Sequence, residues 1–171
     1  MSRPPGTSLI TSRTWINGVK VTVLTKGLCP EELSDKAIYG YENWYGITLV
    51  SLDPAFQQQY EPFAAPVADR IRSLKTLQEK GMKTWVSIEP YPTPNIVAQD
   101  LRALLHEVSF TNAIIFGKMN YNRLVGEYKQ RTEFYEGCVG EVRKFCEEKN
   151  IKSYIKKGTP GSTSDGNMIF G

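Results

Sequence analysis

Five short apolar runs alternate with stretches of helical character, and that alternation limits the possible folds more than any other feature of this chain. The runs are Val19–Thr25, Gly46–Leu52, Lys83–Glu89, Asn112–Gly117 and Ile151–Lys156. They are rich in β-branched and aromatic residues, which suit a pleated, half-buried surface. Their length, and the Gly, Pro, Asn or Asp at their ends, argue strand over helix. Val67–Lys80 carries Val67, Ile71, Leu74 and Leu77 at spacings of three and four. That pattern predicts a helix with one apolar stripe, opened by Pro66 and stopped by Gly81. Ile96–Val108, with Val97, Leu101, Leu104 and Leu105, predicts a second. A third is expected near Glu133–Lys149, with Phe134, Cys138, Val142, Phe145 and Cys146 as its apolar positions, and a short one at Pro30–Leu33. The stretch after Asp53-Pro54, with three glutamines, Phe56, Tyr60 and Phe63, reads as irregular.

Strands that alternate with helices form βαβ units, with right-handed crossovers and a parallel sheet. Five strands are too few to close an eight-stranded barrel, so an open curved sheet or part of a (β/α) barrel is expected. No glycine-rich phosphate loop follows any strand, which weighs against a dinucleotide-binding or P-loop fold.

The 171 residues suit one domain, and 40% apolar with 23% charged residues is ordinary globular composition. A formal net charge of +3 does not argue for nucleic acid. The densest basic group, Lys149, Lys152, Lys156 and Lys157, reads as a solvated face. Cys29, Cys138 and Cys146 fit no zinc or iron–sulfur spacing, so no metal site is expected. Their odd number, with no signal peptide and no long apolar run, predicts a reduced, soluble, cytoplasmic protein with no membrane contact. Residues 1–18 read as an irregular N-terminal segment, 19–157 as the folded unit, and 158–171 as a flexible tail. The single histidine, His106, falls near a helix end and reads as a surface group.

Parallel strands bring their carboxyl ends to one rim, where ligands of α/β folds gather. Glu89 closes its strand because Pro90 biases it toward extended backbone. The rim would also collect Lys26, Ser51, Asp53, Lys118 and Asn120, approached by Trp85, Tyr91 and Tyr121. Such a set suits a small polar ligand. Lys26 would pair with a carboxylate, Ser51 would bond a hydroxyl, and Glu89 would receive a cation or a hydroxyl. Lys118, Asn120 and Tyr121, beyond the fourth strand, are candidates for substrate contact.

Thr25-Lys26, Ser51, and Arg70-Ile71 with Leu74, Leu77 and Gly81-Met82-Lys83-Thr84-Trp85-Val86-Ser87-Ile88-Glu89-Pro90 carry a resemblance. Together with Phe116-Gly117-Lys118-Met119-Asn120-Tyr121 and Ile155-Lys156-Lys157, they resemble the radical S-adenosylmethionine (SAM) superfamily, in its spore photoproduct lyase-like subgroup. The resemblance covers about Val19 to Lys157. It implies a partial (β/α)6 barrel, of which these strands would be the third to sixth plus one trailing strand. It also implies SAM as cofactor, with Lys26 on the methionyl carboxylate, Ser51 on the ribose, and Ile88 with its backbone neighbours, Glu89 among them, near the adenine. The family's Cys-x-x-x-Cys-x-x-Cys motif for a [4Fe–4S] cluster does not occur in this sequence, nor does its glycine-rich segment for the SAM amino group. By the resemblance, the chain corresponds to a C-terminal portion, from a split gene product or a truncated reading frame. It would be inactive alone, and a cluster would be available only if an N-terminal half supplied the cysteines. A partner half-barrel or self-association is therefore expected. Two other readings remain open: a half-barrel docking or structural module with no catalysis, and a Schiff-base enzyme using Lys26 or Lys118.

Overall fold

The computed structural model describes residues 19–163 and Phe170. The irregular segment expected over 1–18, and all of the expected tail after Thr163 except Phe170, lie outside the described residues. Five strands form one sheet: β1 (Thr22–Thr25), β2 (Trp44–Thr48), β3 (Lys83–Tyr91), β4 (Ala113–Lys118) and β5 (Lys152–Ile155). Every neighbouring pair is parallel, and the spatial order is the sequence order. The sheet is open, as expected for an α/β fold, and is compatible with part of a barrel. The helices are α1 (Lys36–Tyr39), α2 (Pro54–Tyr60), α3 (Val67–Glu79), α4 (Leu101–Glu107), α5 (Arg123–Glu127) and α6 (Arg131–Lys149), with a 3-10 turn at Glu31–Ser34.

Local chemistry moves three expected boundaries. β2 begins at Trp44 because the Trp44 amide reaches the Val21 carbonyl at 2.9 Å, while the Asn43 side chain ties Val21 N to Tyr39 O. It ends at Thr48, and the Leu49 amide makes one further bond to Ser87 O before the chain turns. α2 forms where irregular chain is expected. Asp53 caps it by accepting from Ala55 N at 2.8 Å, Pro54 fits its first turn, and Phe56 is buried beneath it. α4 begins at Leu101, not Ile96, because Asp100 accepts from the amides of Arg102 and Ala103. Ile96 and Val97 sit in the preceding turn and still pack on the core.

The sheet advances in one direction without reversing. With right-handed crossovers, such winding delivers every connecting helix to the same face. The main core confirms this placement. Tyr45, Ile47, Val86, Ile88, Ile114, Phe116 and Ile155 from the strands meet Leu74, Leu77, Leu104, Leu105, Val139, Val142 and Phe145 from the helices. The alternate strand residues, Trp44, Trp85, Ala113, Ile115 and Tyr154, form a second cluster. Among the described residues Phe170 packs on that cluster, and no helix residue joins it. Parallel sheets usually have both faces covered, and among the described residues this one has a helix layer on only one.

On the helix-free face, Gly46 stands in register with Leu24 and Trp85. The Trp85 indole lies over Gly46 and donates Nε1–H to the Val23 carbonyl at 3.1 Å. Lys83 and Lys152 each bring an ammonium to 5.9 Å from the Trp44 ring.

Candidate functional site

Parallel pairing puts the carboxyl ends of all five strands along one edge of the sheet. Lys26 follows β1 there and Ser51 lies three residues past the end of β2. Glu89 does not close its strand as expected: the Glu89–Pro90 peptide is cis, and β3 runs on to Tyr91, which pairs with Lys118 after a shift in register. Lys118 ends β4.

The best-built group on this edge joins Lys26 to two residues that the sequence did not single out as site members. Arg70 of α3 is only 1% exposed. Its Nη1 donates to the carbonyl of Thr48, the last residue of β2, at 2.7 Å, and its Nη2 donates to Glu61 Oε2 at 3.0 Å. The other Glu61 oxygen lies 3.0 Å from Lys26 Nζ, an ion pair without hydrogen-bond alignment. Glu61 is buried, whereas the Lys26 side chain is 47% exposed. The connection from α2 to α3 is fixed as well. Gln57 donates to the carbonyls of Ala64 and Ala65 and accepts from Val67 N, and Ala65 N donates to Lys26 O at 2.9 Å. Two buried polar atoms, Glu61 Oε1 and Arg70 Nε, have no hydrogen-bond partner. Arg70 had a signal in the sequence: it stands four residues before Leu74 and seven before Leu77, on the buried stripe of its own helix. Glu61 had none, because it lies in a connection between elements.

Glu89 is engaged elsewhere. Its two carboxylate oxygens lie 2.6 and 2.7 Å from Lys156 Nζ. The carboxylate reaches that far by crossing Gly117, where a Cβ would come within 2.8 Å of Glu89 Cγ and 3.2 Å of Lys156 Cβ. Continuing the alternation of Trp85 and Ser87, this pair belongs to the helix-free face.

The remaining rim candidates differ in what they present. Ser51 is buried, and its Oγ accepts from Asp53 N at 3.1 Å. The Ile88 side chain is fully buried in the helix-side core, so the edge is offered its backbone only. Lys118 is half-buried, and its amide donates to Thr159 Oγ1 at 3.3 Å, which draws the start of the expected tail onto β4. Asn120 is exposed, and its side chain donates to Lys118 O at 3.4 Å. Tyr121 is fully exposed with a φ of 56°, in the left-handed region. Tyr91 is buried in the helix-side core beside Phe116 and Phe134, and desolvation raises its hydroxyl well above the usual range. Neither Tyr91 nor Trp85 lines the Lys26 group; Lys26 meets a carboxylate there and not an apolar shell.

The three cysteines are free and buried. Desolvation pushes the Cys29 and Cys146 thiols up to about 11 and Cys138 to about 12. Cys138 and Cys146 both face the main core from α6. Among the described residues, no set of three His, Cys, Asp or Glu side chains converges as a metal site, and no helix is long and apolar enough to cross a membrane. No protein-family description, no curated protein and no solved structure matches this chain.

Proposed function

We propose that the chain is the SAM-side portion of a cytoplasmic radical SAM enzyme, with Lys26 as the partner of the methionyl carboxylate. One observation carries the reading. Lys26 is a half-exposed cation at the carboxyl end of a parallel strand, held by buried Glu61 and Arg70 in a group with one surplus positive charge. A pre-positioned ammonium of that kind suits a ligand carboxylate. Ser51 would turn its hydroxyl toward the ribose, and the backbone near Ile88 and Glu89 would flank the adenine. Lys118, Asn120 and Tyr121 would then face the substrate. SAM would supply the sulfonium whose reductive cleavage starts radical chemistry. The cluster cysteines that deliver the electron belong, in this reading, to a partner polypeptide.

The test is a titration with S-adenosylhomocysteine followed by NMR. Two or three contacts of about 1–2 kcal/mol each, set against an association cost of roughly 4 kcal/mol or more, give binding no tighter than roughly tens of millimolar. Resonances at Lys26, Ser51 and Ile88 are expected to move, and Lys26→Ala is expected to abolish the shift at Ser51. If no resonance on this edge moves at high ligand concentration, the reading is overturned.

The open edge of the sheet at β1 favours a second reading, a docking module without catalysis. β1 is an edge strand of the sheet and its Leu24 is half exposed, whereas Trp44, Trp85 and Ala113 are already buried. A partner half-barrel or a second copy would pair with that edge and cover Leu24. Light scattering that gives a clean monomer at high concentration would remove self-association from this reading.

A further inference from the structure

We infer that Glu61, locked by Arg70, sets both the position and the net charge of the Lys26 site, and so makes it select a singly charged carboxylate over a phosphate dianion. This rests on the reading of Lys26 as a ligand's anion partner. Glu61 and Arg70 are positioning residues in it, since neither is offered to a ligand: their side chains are 5% and 1% exposed.

Position comes first. A lysine ammonium is a point charge on a flexible stem, and ordering that stem opposes ligand binding. Here the stem is ordered in advance. Lys26 Nζ meets Glu61 Oε1 at 3.0 Å, Glu61 Oε2 meets Arg70 Nη2 at 3.0 Å, and Arg70 Nη1 meets Thr48 O at 2.7 Å. The chain of contacts ends on the last residue of β2, so the ammonium is referenced to the sheet itself.

Charge follows from the same contacts. Two cations and one anion leave a surplus of one positive charge, and it faces solvent only at Lys26. One carboxylate neutralises the group. A phosphate dianion is drawn at most twice as strongly by this single surplus charge, whereas its cost of leaving water rises with the square of its charge, so at a partly desolvated site the monoanion is favoured. Without Glu61 the same site would carry two surplus charges and the preference would move toward dianions.

The experiment titrates acetate and inorganic phosphate separately into the full chain at pH 8 and fixed ionic strength. The amides of Lys26 and Ala65 report binding. The wild type is expected to take acetate at lower concentration than phosphate. Glu61→Gln keeps an acceptor for Arg70 and removes the charge, and is expected to shift the ratio toward phosphate by about threefold or more, the size of a partly screened charge interaction. The ammonium resonance of Lys26 in the wild type is expected to be more ordered than that of exposed Lys75, and to lose that order in Glu61→Gln. Tighter phosphate than acetate binding in the wild type overturns the inference. So does an acetate preference that survives Glu61→Gln, although the Lys26 reading would then stand. If neither anion moves Lys26 or Ala65 in the wild type, the Lys26 reading falls and takes the inference with it. Should Glu61→Gln fail to fold, the wild type decides: equal disorder at Lys26 and Lys75 overturns the positioning role.

Discussion

Replacing Gly46 with alanine is expected to destabilise the fold by about 2–3 kcal/mol, and the whole effect should depend on Trp85. A Cβ at position 46 would fall into the indole of Trp85, with three ring atoms within 2.7 Å of it. The indole cannot move without leaving the Val23 carbonyl, to which its Nε1–H donates at 3.1 Å from a buried position. Overpacking of this kind costs about 1–3 kcal/mol. The lost hydrogen bond adds about 1 kcal/mol. Restricting the unfolded chain by removing a glycine returns roughly 0.5–1 kcal/mol. The assay is urea unfolding by far-ultraviolet circular dichroism for the wild type, Gly46→Ala, Trp85→Val and the double variant. In the Trp85→Val background, Gly46→Ala should lie within about 0.5 kcal/mol of neutral, giving a coupling of about 2 kcal/mol between contacting residues. An equal loss in both backgrounds, or no loss in the wild type, would refute the packing of the indole over Gly46.

Arg70→Met is expected to cost about 3–5 kcal/mol, because it leaves the Glu61 carboxylate buried without its main counter-charge; a loss below about 1 kcal/mol by urea unfolding would contradict that burial. Gly117→Ala should push Glu89 off Lys156 and cost about 1–2 kcal/mol, mostly from overpacking, since Lys156 is half exposed and its ion pair is worth little; in a Glu89→Ala background the penalty should largely vanish. The native thiols of Cys29, Cys138 and Cys146 should react with an aromatic disulfide reagent at pH 8 only at the rate of chain opening, given raised values of about 11, about 12 and about 11; labelling as fast as free cysteine would exclude their burial. The same thiols set a pH dependence. Unfolded cysteines ionise near about 8.5, so the stability they contribute is fully present below that pH and falls as pH rises toward 11, because unfolding then releases protons. Urea midpoints that stay flat from pH 8 to 10.5 would contradict it.

Much of the fold was legible in the sequence because it is written in local periodicity. All five strands exist where the apolar runs fall, and α3 covers Val67–Glu79 almost as its stripe predicts. The parallel, open sheet followed from alternation and crossover handedness alone. What failed locally was capping. Asp53 and Asp100 carried the true starts of α2 and α4, and each was outweighed, by a run of glutamines in one case and by the apolar pair Ile96-Val97 in the other.

The candidate site was legible only in part. Lys26 can be placed on an edge by knowing where its strand ends, whereas Glu89 lies two residues inside β3, and the partners of neither can be read from the sequence. Lys26 meets Glu61 only because the α2–α3 connection folds back under β1, and Glu89 meets Lys156 only because β5 pairs with β4 across a glycine. Ile88 and Glu89 are neighbours in sequence, yet they serve opposite faces of the sheet, and only the helix layer decides which face is buried. Strand periodicity is fixed by the backbone and is therefore carried by the sequence. Ion pairing, the burial of Arg70 and the absence of helices over Trp44 and Trp85 among the described residues depend on distances between segments far apart in the chain, which the tertiary structure alone sets.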